Sequence, residues 1–276
     1  MSGPICIFEK EQYPLIREAA AQAGEILHLV GERVRPGVTL LELDAFAEEW
    51  IRDQGSIPTF KGYMGFPNTL CTSVNENIVH GIPNDKELKE GDIVSIDVGV
   101  TVTEDFNGKP FTYVGDNAFT FPCGEVSAKS KRLLMDTNRG LWAGLDAIKA
   151  GGYISDIATA IEKIAREKRY GNVMEFGGHG IGPEYHCQPF IPNFTEYFKH
   201  YPDDQIKVGM VLAVEPMFNL GTSAVKKHKD GWTITTADRK NSAHFEHSAL
   251  VTEEGIEIIT DVRKTRNKFE ENAVES

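Results

Sequence analysis

Lys89-Glu90-Gly91-Asp92-Ile93-Val94-Ser95-Ile96-Asp97 and Lys207-Val208-Gly209-Met210-Val211-Leu212-Ala213-Val214-Glu215 share one pattern. Each reads Lys, any residue, Gly, a β-rich run, then an acid eight positions after the Lys. An acid that closes a run of β-branched and aliphatic residues sits where the chain ought to be dry. A carboxylate is seldom buried there without a cation to pair with it. Each phrase has a later acidic partner, Asp116 after the first and Glu246 after the second, and His179 lies between the halves. Asp97 or Asp116 standing alone would more readily be read as a strand-end acid capping a turn. Four together repel one another unless neutralised, so the set points to a cage for two metal ions. Carboxylate oxygens with one imidazole suit Co, Mn, Fe or Zn, and bridging carboxylates hold such ions about 3.5–4 Å apart.

The duplication extends beyond these phrases. Residues 13–35 read as a helix, with Pro14 in the first turn and Pro36-Gly37 as the stop. Thr39 and Glu42 form a capping box that opens a second helix, ended by Gly55. The second half repeats this plan, with a helix from Ala128 to Ala150-Gly151-Gly152 and another, capped by Ser155, running from Asp156 toward Arg169-Tyr170-Gly171. Pro36-Gly37 and Ala150-Gly151 are offset by 114 residues, Asp97 and Glu215 by 118, close enough to argue for one fold of two related halves. Strands are expected at 92–100, 111–121, 210–219, 232–236 and 244–252. Asp105-Phe106-Asn107-Gly108 is a hairpin turn between the first two, and Lys226 to Asp230 plays that part in the second half. The fold class is α+β, with helices outside and a curved antiparallel sheet inside that brings the acids to one centre. Residues 1–12 form a short N-terminal extension, 13–264 a single domain, and 265–276 a frayed polar tail.

The chain of 276 residues can bury a full core, and its formal net charge of −12 argues against a phosphate-seeking surface and hence against DNA. Cys6, Cys71, Cys123 and Cys187 are widely spaced without a C-x-x-C, so reduced cysteines are expected rather than a disulfide scaffold or a zinc knuckle. The N-terminus lacks the basic and apolar regions of a signal peptide, and no apolar run is long enough for a membrane span. A cytoplasmic protein is the expectation. Lys226-Lys227-His228-Lys229 offers a contact for ribosomal RNA near emerging chains, although a solvated basic turn is the plainer reading.

His179 lies in Gly177-Gly178-His179-Gly180-Ile181-Gly182, where the glycines let the backbone pass close to something and leave the imidazole accessible. His80 and His186 also stand in Gly/Pro-bounded loops. In order, the chain reads Ser73-Val74-Asn75-Glu76 with His80-Gly81-Ile82-Pro83, Ile96-Asp97-Val98-Gly99, Gly115-Asp116-Asn117-Ala118-Phe119-Thr120-Phe121, Gly178-His179-Gly180-Ile181-Gly182 with His186, Glu215-Pro216-Met217 and Phe245-Glu246-His247-Ser248. These strings resemble the type I methionine aminopeptidases from the first helix to about residue 260. The resemblance implies the pita-bread fold of two pseudo-symmetric α+β halves. It also implies removal of the initiator methionine from nascent or short peptides whose second residue is small, by metal-activated water, in a monomeric enzyme.

Carried over by position, the resemblance makes Asp97, Asp116, His179, Glu215 and Glu246 the ligands of two divalent ions. Asp116 and Glu246 would bridge, Asp97 would chelate one ion, and His179 with Glu215 would hold the other. Glu215 would also transfer the proton. His80 and His186 match histidines that touch the substrate at the scissile amide. The methionine pocket maps to Phe60, Tyr63, Phe66, Cys71, Tyr185 and Trp232, aromatic and soft enough for a thioether. Three positions depart from the pattern. The 19-residue spacing of Asp97 and Asp116 lengthens a hairpin and makes Asp105 a rival ligand, Cys187 replaces a common Glu, and His244 a usual Gln. Glu215 and Glu246, 31 apart, leave no room for the helical insert of type II relatives, so the form is short and bacterial-like. An Xaa-Pro peptidase on the same fold is the nearest rival, although those carry an extra N-terminal domain. A non-catalytic relative would have lost ligands that are all present here.

Overall fold

A computed structural model describes residues 3–267. Two helices, α1 (Tyr13–Gly31) and α2 (Leu40–Asp53), precede the long strands Ile93–Phe106 and Lys109–Pro122. Two more, α3 (Ala128–Asp146) and α4 (Ile154–Lys168), precede Gly178–Ile181, Val211–Val214 and His247–Thr252. All the strand-to-strand ladders are antiparallel, and helices pack on the outer faces: α1 covers the long hairpin and α3 packs against α4 and the second-half strands. This is the expected α+β architecture of two similar halves.

Local chemistry explains most of the elements. Thr39 accepts from the Glu42 N–H at 3.2 Å while Glu42 accepts from the Thr39 N–H at 2.7 Å, the reciprocal box that starts α2. Asn107 and Gly108, at φ 57° and 78°, make the two-residue tip of the long hairpin, with Phe106 paired to Lys109. Both tip residues need the left-handed region, which Asn and Gly tolerate best.

Other boundaries differ from expectation. α1 stops at Gly31, one turn early, because Pro36 disfavours helical geometry before it and the chain tightens into 30–34 turns instead. α3 ends at Asp146 through similar tight turns. α4 begins two residues before the expected start at Asp156. Tyr153 is its N-cap, with its N–H donating to Asp156, while the Ser155 N–H donates to Asp203.

The expected strands 210–219 and 244–252 each break. Val211–Val214 pairs with Gly178–Ile181 and His247–Thr252, whereas Met217–Asn219 pairs with Ser242–His244 and Gly171–Asn172. The chain changes sheets at Glu215-Pro216, where proline offers no N–H to a ladder, and at Phe245-Glu246. Lys226 and Lys227 lie in a strand, Val225–Lys227, and the turn itself begins at His228, whose N–H donates to Thr233.

The terminal segments are more firmly packed than the sequence suggests. Ile5 bridges Gln188, and buried Phe8 meets Phe111 and Tyr113. Thr265–Asn267 form a 3-10 turn in which buried Thr265 bonds His247 Nε2 at 3.0 Å, so the expected tail starts too early; residues 268–276 lie outside those described. Among the described residues no helix is long and apolar enough to cross a membrane.

Candidate metal centre

The hairpin register places the first two acids. Asp97 pairs with Ala118 and Asp116 with Gly99, so the two carboxylates are diagonal neighbours on one face. Asp105 pairs with Pro110 near the tip, and its carboxylate accepts the Gly108 N–H at 2.9 Å. It caps the turn and is no rival to Asp116. The Glu246 N–H donates to the Ala118 carbonyl at 2.8 Å, which ties the third acid to the same stretch of hairpin.

His179 stands opposite Ala213, and Glu215 follows two residues later on the same strand line, just past its end. The flanking glycines have a specific reason: a Cβ on Gly178 would overlap the Ala213 carbonyl oxygen, and one on Gly180 that of Gln188. They let three strands close around His179. The imidazole is not solvent-accessible as expected but 1% exposed, facing the acids.

Asp116, His179, Glu215 and Glu246 approach one another, and Asp97 is near enough to feel the charges of Asp116 and Glu215. His179 Nε2 lies 3.4 Å from Asp116 Oδ2 and 3.9 Å from Glu215 Oε1, and one ligand atom each of Asp116, His179 and Glu246 fall within 4.8 Å of one another. His179 Nδ1 is 3.0 Å from the Gly180 carbonyl. Donation there leaves the Nε2 lone pair facing the acids, the arrangement a metal-ligating histidine needs.

Burial, then the charges of Asp116 and Glu215, pushes the Asp97 carboxyl well above the usual range. Burial raises Glu246 likewise, with Asp116, Glu215 and Asp97 adding to it. Glu215 goes the other way: burial alone would raise it, but His244, with Nε2 3.3 Å from Glu215 Oε2, and then His179 outweigh burial and hold it low. For His179, burial opposes protonation and Asp116 more than compensates. Asp97 Oδ1, Asp116 Oδ1 and Glu246 Oε1 are buried without a hydrogen-bond donor. Orphaned carboxylate oxygens beside one imidazole nitrogen fit divalent cations, which would satisfy them and relieve the repulsion.

A cavity of about 280 Å³ opens onto this cluster, lined by Phe60, Tyr63, Phe66, Cys71, Tyr185 and Trp232 as well as Asp97, Glu215 and Glu246. Asp116 and His179 stand behind that lining. His80 and His186 also line the cavity, and burial drives their pKa values down to about 4 and about 3, so both are neutral near pH 7. His80 sits at φ 57°, edge-on to Phe176 and Trp232, while His186 Nδ1 is 2.9 Å from the Tyr63 hydroxyl. Val79, Met64, Glu175, Phe176 and Phe190 complete the walls and were missed in the sequence. Phe176, next to the glycine run of His179, had the one visible signal, its neighbourhood.

Comparison with known proteins finds relatives along most of the chain. Residues 14–253 match the model of metallopeptidase family M24. The chain is 43% identical over 245 residues to methionine aminopeptidase 1 of Bacillus subtilis (strain 168), covering 87% of this chain and 94% of that one. It is 40% identical to the methionine aminopeptidase of Clostridium perfringens, covering 94% of this chain and 100% of that one. The crystal structure of methionine aminopeptidase from Rickettsia prowazekii superposes with a TM-score of 0.85 at 37% identity, over 93% of this chain and 99% of that one.

Proposed function

The chain belongs to metallopeptidase family M24, and from that premise we propose how its own side chains cut the first peptide bond of a substrate. The protein is a metallo-aminopeptidase that removes N-terminal methionine and uses divalent metal ions. Asp97, Asp116, His179, Glu215 and Glu246 would hold two ions. Bound there, the ions supply Lewis acidity that lowers the pKa of water and polarises the scissile carbonyl.

The remaining work falls to the protein. The acidic cluster attracts the substrate's free α-amine, which sets the cut after the first residue. Glu215, held ionised by His244, takes the proton of the attacking water and returns it to the departing amine. Tyr63 donating to Nδ1 of neutral His186 puts that ring's proton on Nε2, the tautomer able to donate to a developing oxyanion. His80 contacts the scissile amide nitrogen. The aromatic cavity takes the thioether side chain, with Phe60, Phe66, Cys71 and Trp232 as its walls. A small second residue, nascent chains in the cytoplasm, a monomeric state and transient ribosome contact through Lys226 to Lys229 complete the reading.

The observation that carries it is the set of donor-less buried carboxylate oxygens beside His179 at the end of an aromatic cavity. Metal-stripped protein, assayed on Met-Ala-Ser and on an Xaa-Pro peptide with single metals restored, tests it. Methionine release that returns with metal is expected. Cleavage of the Xaa-Pro peptide alone would overturn the substrate, and inertness on both would favour a binding role. Glu215→Gln should abolish turnover; near-normal rates would remove Glu215 from the proton transfer.

A further inference from the structure

Cys6 and Cys187, 181 residues apart in sequence, hold their sulfurs 3.5 Å apart. The Ile5–Gln188 bridge, parallel and one residue away on each side, sets the two backbones beside each other. Cys6 is half-buried and Cys187 buried, and neither is in a disulfide. The Cys187 thiol donates to the Glu184 carbonyl at 3.4 Å, and burial with Cys6 beside it pushes its pKa up to about 12. The more exposed partner, Cys6, is therefore the one that meets an oxidant first.

A disulfide needs about 2.05 Å between sulfurs, so closure requires a movement of roughly 1.5 Å. Cys187 is bonded directly to His186, whose ring centre is 4.4 Å from that of His179 and 4.0 Å from that of Tyr185. Part of any such movement reaches both rings.

We propose that Cys6 and Cys187 are a thiol pair which a hydroperoxide closes into a disulfide, slowing the site by displacing the loop that carries Tyr185 and His186. The Cys6 sulfur attacks the peroxide. An S–O bond forms, the O–O bond breaks, and the released alkoxide or hydroxide takes the Cys6 proton to leave as alcohol or water. The Cys187 sulfur then attacks the Cys6 sulfur. The S–S bond forms, the S–O bond breaks, and hydroxide leaves as water with the Cys187 proton. Two thiols are oxidised and one hydroperoxide reduced. Only the effect on turnover rests on the peptidase reading.

The test treats reduced, metal-loaded protein and its Cys6→Ser variant with hydrogen peroxide, removes the excess, and maps peptides without reductant. In the unaltered chain a linked Cys6–Cys187 peptide is expected, and thiols titrated after denaturation should fall from four to two. Methionine release should drop about ten- to a hundredfold, the scale of an ångström-sized displacement of a catalytic group, and return with dithiothreitol. Cys6→Ser should keep its turnover. Absence of the linked peptide, a linked protein with unchanged turnover, or equal loss in Cys6→Ser would each overturn the proposal. The His186 imidazole resonances read the displacement without turnover; if the reduced protein proved inert, the peptidase reading would fail, and unmoved resonances on linkage would overturn this one.

Discussion

His244→Ala removes the imidazole whose Nε2 approaches Glu215 Oε2 at 3.3 Å, a contact that holds this carboxylate ionised although it is only 14% exposed. Removing the partner that orients a metal ligand typically weakens metal affinity about 10–100-fold, or about 1.4–2.8 kcal/mol. The sign follows from the proton. Without His244 the Glu215 pKa rises, and a metal must displace a proton that was not there before. The loss should therefore deepen as pH falls toward 6. Titration calorimetry of stripped His244→Ala with Mn²⁺ at pH 6 and pH 8 measures it, with His244→Gln as the variant that keeps a donor and stays within a fewfold of the parent. Affinity in His244→Ala equal to the parent at both pH values would refute the idea that His244 serves Glu215.

Metal removal should reveal the repulsion among the acids. Asp97 and Glu246 have raised folded-state pKa values, so their contribution to the stripped protein's stability is full below about pH 4 and is lost as pH rises through the raised values. The gap in Tm between loaded and stripped protein should widen from pH 5 to pH 8, and a constant gap would contradict it. Gly180→Ala places a methyl against the Gln188 carbonyl, which should lower Tm by several degrees and weaken metal binding by displacing His179; circular dichroism melts and calorimetry read both. Thr39→Ala removes the N-cap of α2 and should cost about 1 kcal/mol in urea unfolding, with turnover unchanged because α2 lies outside the site.

Features closed by residues adjacent in sequence could be read directly. The capping box at Thr39, the Asn107-Gly108 tip and the parity that sets Asp97 and Asp116 on one face all follow from local spacing. Asp97 and Glu215 stood out because each ends an apolar run, an odd place for a charge. Boundaries that depend on competition between distant parts were not: where α1 gives way before Pro36, and that Glu215 and Glu246 stand at breaks where the chain changes sheets. His244 looked like a departure from a family pattern, while its contact with Glu215 crosses two strands. Phe176, Phe190 and Met64 gave no sign of lining a cavity, because a hydrophobic side chain carries no mark of which wall it will join.

Sequence alone therefore determined the two-lobed plan, the candidate acids and the need for cations, since charge placement and turn chemistry are local and strong. Tertiary structure decided what touches what: the shape of the cavity, the hold of His244 on Glu215, and the meeting of Cys6 with Cys187. Those contacts join residues dozens to nearly two hundred positions apart, and their energies exist only after the chain has closed the loops between them.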